Sequence, residues 1–266
     1  MKKLRLDRLL VERGLAGSRE RAQAMILAGK VLVDEQKVEK AGANVSAEAK
    51  LRLLGEDLKY VSRGGVKLEA ALEGWGIEVE GKVCLDVGAS TGGFTDCLLQ
   101  GGARRVIAVD TGYGQMDARL RQDPRVRLLE RTNARYLKPE DVGEGVEVVA
   151  MDVAFISATL VLPAVVRSCL EARERGRDAR ATAGETPALL ELVVLVKPQF
   201  EVGKGKVGKG GIVRDPEDQQ AAVEKVRRAV EELGGTGIEV MESPITGAEG
   251  NREFLMHAKF QKSGGK

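Results

Sequence analysis

The spacing of apolar residues divides the chain into two parts. In the first 60 residues, apolar side chains recur at i, i+3 and i+4 in two short stretches, which are Leu6, Leu9 and Leu10 and then Ala22, Met25 and Ile26. This spacing places each set on one face of a helix. Short β-type segments follow at 31–33 and 51–54. We therefore expect a small α+β domain over residues 1–60, joined to the rest by a linker at about 55–61.

From residue 62 to about 262, continuous apolar runs alternate with helical patterns. The segments predicted as strands are 82–87, 105–110, 146–152, 192–197, 238–243 and 254–260. Apolar runs of this kind are typical of strands covered on both faces. Their alternation with helices, notably 216–233, predicts a doubly wound α/β sheet. Residues 171–188 are rich in Arg, Ala and Glu and lack large apolar side chains, so we expect a helix end that runs into a mobile surface loop.

Composition narrows the class of protein. Of the 266 residues, 43% are hydrophobic, which is enough to build a core. The three cysteines, Cys84, Cys97 and Cys169, have no metal-site or disulfide spacing and fit a reducing compartment. Charges interrupt the N-terminal segment, and no apolar run approaches the roughly 18 residues that a membrane span needs. We expect a cytoplasmic protein without a membrane segment.

Positive charge is concentrated in the first 60 residues, which hold 13 Lys and Arg against 9 Asp and Glu, whereas the whole chain is only +2. Five basic residues lie off the apolar helix faces, namely Arg5, Arg8, Arg19, Arg21 and Lys30. The runs Arg5-Leu-Asp-Arg-Leu-Leu-Val and Ala28-Gly-Lys-Val-Leu-Val resemble the RNA-binding domain first seen in ribosomal protein S4. The resemblance implies that these basic residues bind RNA. The alternative is a solvated helical hairpin that binds nothing.

A glycine-rich turn follows the strand that contains Asp86 and opens a helix. Its spacing, D-x-G-x-x-x-G-G, excludes a P-loop and is a poor match to a dinucleotide fingerprint. Asp110 closes the next strand, where a carboxylate can accept both hydroxyls of a ribose. These positions resemble the first two motifs of class I methyltransferases, which implies S-adenosylmethionine as cofactor. The candidate cofactor-binding residues are Asp86, Gly88, Ala89, Ser90, Thr91, Gly92, Gly93, Asp110, Asn133 and Asp152.

Asn133 follows the third strand region, in the run Arg131-Thr-Asn-Ala-Arg135. The resemblance implies contact with the adenine of the cofactor. A turn-forming asparagine is an equally good interpretation of the residue itself.

Ionisable residues follow two apolar strands. Asp152 and Lys197 stand at carboxyl ends of predicted neighbouring strands, so both point at the edge that carries the glycine loop. Lys67 lies on a helix before the first strand of this domain, and Glu253 opens the last. Four ionisable groups at a ligand-binding edge favour catalysis over a pair of buried ion pairs.

The chain order Lys67, Asp152, Lys197, Glu253 resembles the tetrad of the FtsJ-like RNA 2′-O-methyltransferases. With the N-terminal domain, the whole chain is similar to the TlyA family. Runs such as Val196-Lys-Pro-Gln-Phe-Glu201 and Gly250-Asn-Arg-Glu253-Phe carry this resemblance. It implies methylation of a cytidine 2′-hydroxyl in ribosomal RNA of one or both subunits, and also an old label, haemolysin.

Such a transfer is an in-line displacement that needs no metal. Lys197 is the best candidate for contact with the reacting oxygen, and Asp152 would orient it. Lysine could accept the hydroxyl proton or remain charged and stabilise the developing oxyanion. Both alternatives stay open, and we favour proton acceptance.

Further RNA contacts are predicted beside the tetrad. Lys204, Lys206 and Lys209 lie among glycines directly after Lys197, where the backbone could wrap a phosphate chain. Phe155 and Phe200 could each stack a displaced base, although core packing is the commoner role. The rival functions are an RNA-binding protein with an inactive methyltransferase domain and a pore-forming haemolysin.

Overall fold

The computed structural model describes residues 3–54, 59–178, 189–247 and 250–261, without the side chains of 176–178 and 204. The chain divides into two compact units, Met1–Leu58 and Lys59–Lys266. Each unit is described by itself below.

The first unit is a small α+β domain, as predicted. Its elements are β1 (Lys3–Arg5), α1 (Leu6–Glu12), α2 (Arg19–Leu27), β2 (Val31–Val33), β3 (Gln36–Lys37), β4 (Asn44–Ser46) and β5 (Leu51–Leu53). Strand β1 pairs with β4, and β2 lies between β3 and β5, all antiparallel. Leu6, Leu10 and Ile26 are fully buried, so the predicted apolar faces of the two helices meet. Ser18 Oγ accepts the backbone N–H of Arg21 and caps α2.

The second unit is built on a twisted sheet with helices on both faces. Its elements are α3 (Gly64–Gly74), β6 (Val83–Val87), α4 (Gly93–Gln100), β7 (Arg105–Val109), α5 (Ala118–Gln122), β8 (Val126–Leu129), α6 (Pro139–Val142), β9 (Val148–Met151), α7 (Leu162–Asp178), β10 (Leu190–Val196), α8 (Pro198–Glu201), α9 (Pro216–Glu232), β11 (Thr236–Glu242) and β12 (Phe254–Phe260).

The sheet of the second unit has seven strands in the described residues, in the order β11-β12-β10-β9-β6-β7-β8. Strand β12 is antiparallel to both of its neighbours, and β10, β9, β6, β7 and β8 are mutually parallel. Side chains of β6 alternate between two cores: Leu85 and Val87 enter one, and Cys84 enters the other. The doubly wound α/β fold predicted from the sequence is confirmed.

The differences from the predicted elements are small and have physical causes. Strand β8 was not among the six bounded predictions, because it is short, carries Arg127 and is only half-buried at the sheet edge. Helix α7 extends to Asp178, which agrees with the helix end expected at the start of 171–188. Residues 179–188 lie outside the described part of the chain. No helix in the described residues is both long and apolar enough to cross a membrane.

Candidate active site

The glycine loop between β6 and α4 follows a path that only particular residues allow. Gly88 and Gly92 have φ angles of +88° and +96°, and Ser90 lies in the left-handed region at +47°. A Cβ at position 88 would collide with the backbone carbonyl of Asp152. The loop therefore passes directly against the chain that leaves β9, which brings Gly88 and Asp152 together.

Asp110 directly follows β7 and faces this loop. Its carboxylate accepts the backbone N–H of Ser90 at 2.7 Å and that of Gly112 at 2.6 Å. It lines a cavity of about 340 Å³ with Gly88, Ser90, Asn133 and Asp152. The apolar part of the same wall includes Val87, Val109, Ala134, Ile156 and Val161.

Asn133 forms a turn, which is one of the two interpretations made from the sequence. Its Oδ1 accepts the backbone N–H of Arg135 at 3.1 Å, which caps the short helical turn Ala134–Tyr136. It also lines the cavity beside Asp110. The turn therefore fixes the position that an adenine contact would require.

Asp86 occupies a different place from the other predicted cofactor residues. It is fully buried, it accepts a hydrogen bond from Thr95 Oγ1 at 2.6 Å, and its Oδ1 has no hydrogen-bond partner in the described structure. It is absent from the described lining of both cavities of the site. Burial, with smaller contributions from the nearby Asp152 and Asp110 carboxylates, raises the pKa of Asp86 to about 7, against the lowering effect of the Thr95 hydrogen bonds.

The four predicted tetrad residues form two pairs. Lys67, on the first turns of α3, donates a hydrogen bond to Glu253 just before β12, and the two residues are 7% and 2% exposed. Lys197 Nζ lies 2.6 Å from Asp152 Oδ1. Each pair therefore joins a lysine to a carboxylate.

A second cavity, of about 160 Å³, brings the two pairs together. It is lined by one member of each pair, Lys67 and Asp152, and by Gly88, Ser90 and Gly247. The Glu253 carboxylate lies against Gly247, where it would collide with any Cβ. Since Asp152 also lines the larger cavity, it stands where the two spaces meet.

The larger cavity suits an adenosine-containing cofactor. It places a carboxylate, Asp110, opposite an apolar slot that can take an adenine ring. Asp152, which pairs with Lys197, lines both cavities, so its carboxylate places negative charge where they meet. A carboxylate at this place fits the cationic end of S-adenosylmethionine. The residues present therefore fit this group.

One buried cluster near the site was not anticipated from the sequence. Glu201, at the end of α8, accepts the hydroxyl of Ser157 at 2.5 Å and the backbone N–H of Ala158 at 2.6 Å. Lys225 of α9 lies 3.1 Å from the same carboxylate. Glu201 thus joins the segment after Lys197 to the segment after Asp152. The signal available in the sequence was an acid four residues beyond Lys197, between the apolar residues Phe200 and Val202.

The predicted RNA-contacting residues near the site have mixed surroundings. Lys206 Nζ lies 2.5 Å from Asp218 Oδ1, whereas Lys209 is exposed. The Lys204 side chain lies outside the described structure. Asn251 holds this loop, because its Oδ1 accepts the Val213 N–H at 3.1 Å and its amide donates to the Gly211 carbonyl at 2.9 Å.

Phe155 is not a core residue, which was the commoner role expected for it. It is 92% exposed, it has a φ of +64°, and it lines the larger cavity. Its ring centroid lies 5.4 Å from that of Phe200, which is half-buried. A bulky residue in the left-handed region is strained, and such strain is concentrated at functional sites.

In the first unit, the predicted basic residues lie at its surface. Arg5 and Arg19 are about half-exposed and both contact the buried Asp7. Arg8 pairs with Glu12 one helical turn away. Arg21 and Lys30 are partly exposed.

Comparison with known proteins identifies the class. The profile of the FtsJ-like methyltransferase family matches residues 60–260, and that of the S4 domain matches residues 4–51. The doubly wound unit is therefore a methyltransferase domain, and it follows an S4 domain in the chain.

Relatives with both parts are similar over nearly the whole length. The 16S/23S rRNA (cytidine-2′-O)-methyltransferase TlyA of Mycobacterium tuberculosis is 46% identical over 261 residues, which cover 98% of this chain and 91% of that protein. Hemolysin A of Brachyspira hyodysenteriae is 38% identical over 255 residues, or 96% and 99% of the two chains. A solved structure from Streptococcus thermophilus, provisionally described as a hemolysin, superposes with a TM-score of 0.70 at 39% identity and covers 99% of this chain and 90% of its own. The chain belongs to the TlyA family of FtsJ-like methyltransferases.

Proposed function

We propose that this protein transfers a methyl group from S-adenosylmethionine to the 2′-hydroxyl of a cytidine in ribosomal RNA. The observation that carries the proposal is the position of Asp152, where a cavity suited to the cofactor meets a cavity lined by Lys67. The name of the mycobacterial relative supports the cytidine and the ribosomal RNA of both subunits. The S4 domain supports an RNA partner.

The chain's own residues account for binding of the cofactor. Asp110 would accept the two ribose hydroxyls, and the slot between Val87 and Val161 would hold the adenine beside Asn133. Gly88, Ala89, Ser90, Thr91, Gly92 and Gly93 form a loop without bulky side chains on the cavity side. When bound, S-adenosylmethionine supplies an electrophilic methyl group on a sulfonium.

The tetrad would orient the acceptor hydroxyl and manage its proton. Lys197 is placed by its charge contact with Asp152, and Lys67 by its hydrogen bond to Glu253. The ribose oxygen must lie roughly 3–3.5 Å from the methyl carbon in the reactive geometry. We assign Lys197 the contact with this oxygen. It can act by accepting the proton or by stabilising negative charge, and replacement by arginine separates the two modes.

RNA would be held by surfaces on both units. The arginines of the S4 domain and the exposed Lys209 offer phosphate contacts, which are salt-dependent. Phe155 offers an exposed ring beside the cavity on which an unstacked base could lie. Base stacking therefore has better support than core packing for this residue.

The test is methyl transfer from labelled S-adenosylmethionine to purified small subunits, large subunits and protein-free ribosomal RNA. We expect label in RNA, and a 2′-O-methylated cytidine when the modified position is mapped. Lys197→Ala is assayed in the same way. Its matched control is Lys259→Ala, which removes a half-exposed lysine from β12. Label in no RNA with the wild-type protein, while RNA binding persists, would instead favour a non-catalytic RNA-binding protein.

A further inference from the structure

The S4 domain contains a buried carboxylate among its basic residues. Asp7 is 0% exposed, although it lies in the first turn of α1 between two arginines in sequence. Its Oδ1 accepts Arg5 Nε at 3.0 Å and the backbone N–H of Arg8 at 2.9 Å. Its Oδ2 accepts Arg5 Nη2 at 2.9 Å, Arg19 Nη2 at 3.2 Å and Gln23 Nε2 at 2.8 Å. A single carboxylate therefore joins β1, α1 and α2.

This arrangement fixes two guanidinium groups and leaves part of each available. Arg5 is bound through two nitrogens in a bidentate contact, which sets the plane of its guanidinium. The group also lies close to the backbone of Gly42, where an added Cβ would be 3.4 Å from Arg5 Nη1. Both arginine side chains remain about half-exposed, and a guanidinium has five N–H donors. Donors that are not used on Asp7 can therefore reach an external anion.

The carboxylate stays charged under all ordinary conditions. The Arg5 hydrogen bond, followed by those of Gln23 and Arg19, holds the pKa of Asp7 well below its usual range in spite of burial. A negative charge at this place opposes the approach of phosphates. Its presence in an RNA-binding domain is therefore unexpected if net charge alone determines affinity.

We propose that Asp7 is a positioning residue for RNA binding: it holds Arg5 and Arg19 in the orientation in which they contact the phosphates of ribosomal RNA. The free-energy cost of ordering these two long side chains then falls on folding of the domain and not on RNA binding. The proposal rests on the proposed function, because the RNA is the substrate of the methyltransferase. The proposal predicts that removing the negative charge of Asp7 weakens RNA binding, whereas electrostatics alone predicts stronger binding.

The decisive comparison is between Asp7→Asn and Glu12→Gln in the full-length protein. Both changes remove one negative charge from α1, but Glu12 is an exposed residue that contacts only Arg8 among the described side-chain pairs. We expect Glu12→Gln to bind ribosomal RNA as tightly as the wild type or roughly twofold more tightly, as the loss of a negative charge should. We expect Asp7→Asn to bind roughly 5- to 100-fold more weakly, because two arginines must be ordered on binding. The measurement is equilibrium binding of the mapped ribosomal RNA segment at several salt concentrations.

The dissociation constants are measured well below the melting temperature of each variant, with circular dichroism as a check of folding. A purely structural role for Asp7 would lower the melting temperature without weakening RNA binding by the folded protein. If Asp7→Asn does not fold, Arg5→Lys and Arg8→Lys are compared in place of Asp7→Asn and Glu12→Gln. Both of these changes conserve charge, but only Arg5→Lys removes the bidentate contact with Asp7. We then expect a larger loss of affinity for Arg5→Lys at an unchanged salt slope.

Two results overturn the proposal. The first is that Asp7→Asn binds ribosomal RNA as tightly as Glu12→Gln does, and the second is that Arg5→Lys and Arg8→Lys have the same RNA affinity. Failure of the proposed function gives a different result. In that case the wild-type protein would not prefer the ribosomal segment to an unrelated RNA of equal length, or would transfer no label to it.

Discussion

Lys67 and Glu253 are separated by 186 positions in the chain, yet their side chains form a hydrogen-bonded ion pair in the interior of the methyltransferase domain. Removing one partner of such a pair leaves a buried charge without compensation. We therefore expect Lys67→Met alone to reduce the free energy of unfolding by roughly 3–5 kcal/mol.

The double variant Lys67→Met with Glu253→Gln should recover part of this stability and none of the activity. Chemical denaturation of the four proteins measures the first effect, and methyl transfer to ribosomal RNA measures the second. If both single variants were as stable as the wild type, the pair would not be buried in solution as the structure has it.

Asp110 is the residue on which the proposed cofactor site depends most directly. In that proposal Asp110→Ala removes an acceptor for two ribose hydroxyls, so each lost bond should weaken binding by roughly 1.5–3 kcal/mol. Part of the effect will come through the loop, because the carboxylate also accepts the Ser90 and Gly112 N–H groups. Calorimetric titration with S-adenosylmethionine measures the change. Asp117→Ala is the matched control, since it removes only the cap of α5 and its contact with Arg119; equal losses for both would refute the assignment.

Lys197 distinguishes chemistry from binding. Lys197→Ala should retain cofactor and RNA affinity while turnover falls by roughly 10²–10⁴-fold, the scale of a positioned proton transfer. Arginine stays protonated, so substantial rescue by Lys197→Arg would indicate stabilisation of the oxyanion rather than proton acceptance. A pH–rate profile under single-turnover conditions checks the same point, because a base gives an ascending limb. Near-native turnover of Lys197→Ala would contradict the tetrad assignment as a whole.

Glu201 should influence turnover without touching substrate. Its hydrogen bonds to Ser157 and Ala158 join the segments that carry Lys197 and Asp152. Glu201→Ala should lower kcat roughly 10- to 100-fold, because misplacement by about 1 Å can cost that much, with little change in KM. Glu201→Gln can still accept the Ala158 N–H and should recover part of the loss. The control is Val226→Ala, which creates a cavity in the hydrophobic core of the same domain. If Val226→Ala and Glu201→Ala are equally stable and lower kcat equally, Glu201 acts only through general packing.

Asp86 makes stability depend on pH in an unusual direction. Its folded-state pKa of about 7 lies above the value of a free Asp, about 3.9. Between these two values the folded state binds a proton that the unfolded state has lost. The free energy of unfolding therefore falls as pH rises, and the full destabilisation by the charged Asp86 is present above pH of about 7. Asp86→Asn should therefore stabilise the protein relative to wild type at pH 8 and bring little gain at pH 4. Denaturation across this range tests the sign, and a gain that is independent of pH would contradict it.

The sequence predicted the sheet well because its signals are local. Long apolar runs define β6, β7, β9, β10 and β12, and the residues that follow them, such as Asp152 and Lys197, are placed by topology alone. The half-buried β8 has no such run, so a third strand region before Asn133 was expected but its bounds were not predicted. Pattern reasoning thus located the edge of the sheet that carries the site.

Contacts between side chains were less accessible to prediction. The order Lys67, Asp152, Lys197, Glu253 indicated a common edge, and Asp152 was expected to orient Lys197. Asp86 could not be separated from the cavity-lining residues, because burial beneath a loop leaves no periodic signal. The roles of Glu201 and Asp7 depend on partners in other elements, 44 residues away for Glu201 and Ser157 and 16 for Asp7 and Gln23, so no local pattern contains them.

The antiparallel strand β12 has a consequence for the synthesis of the protein. It follows the other strands of the sheet in the chain but inserts between β10 and β11, and Glu253 stands at its entrance. On the ribosome, Lys67 therefore emerges long before the acid that neutralises it, and the parallel strands can assemble around a cation that still lacks its counter-ion. Insertion of β12 would then complete the sheet and supply the counter-ion of Lys67 in one event. A nascent chain that ends before Glu253 would have both an incomplete sheet and an uncompensated lysine in the interior of this domain.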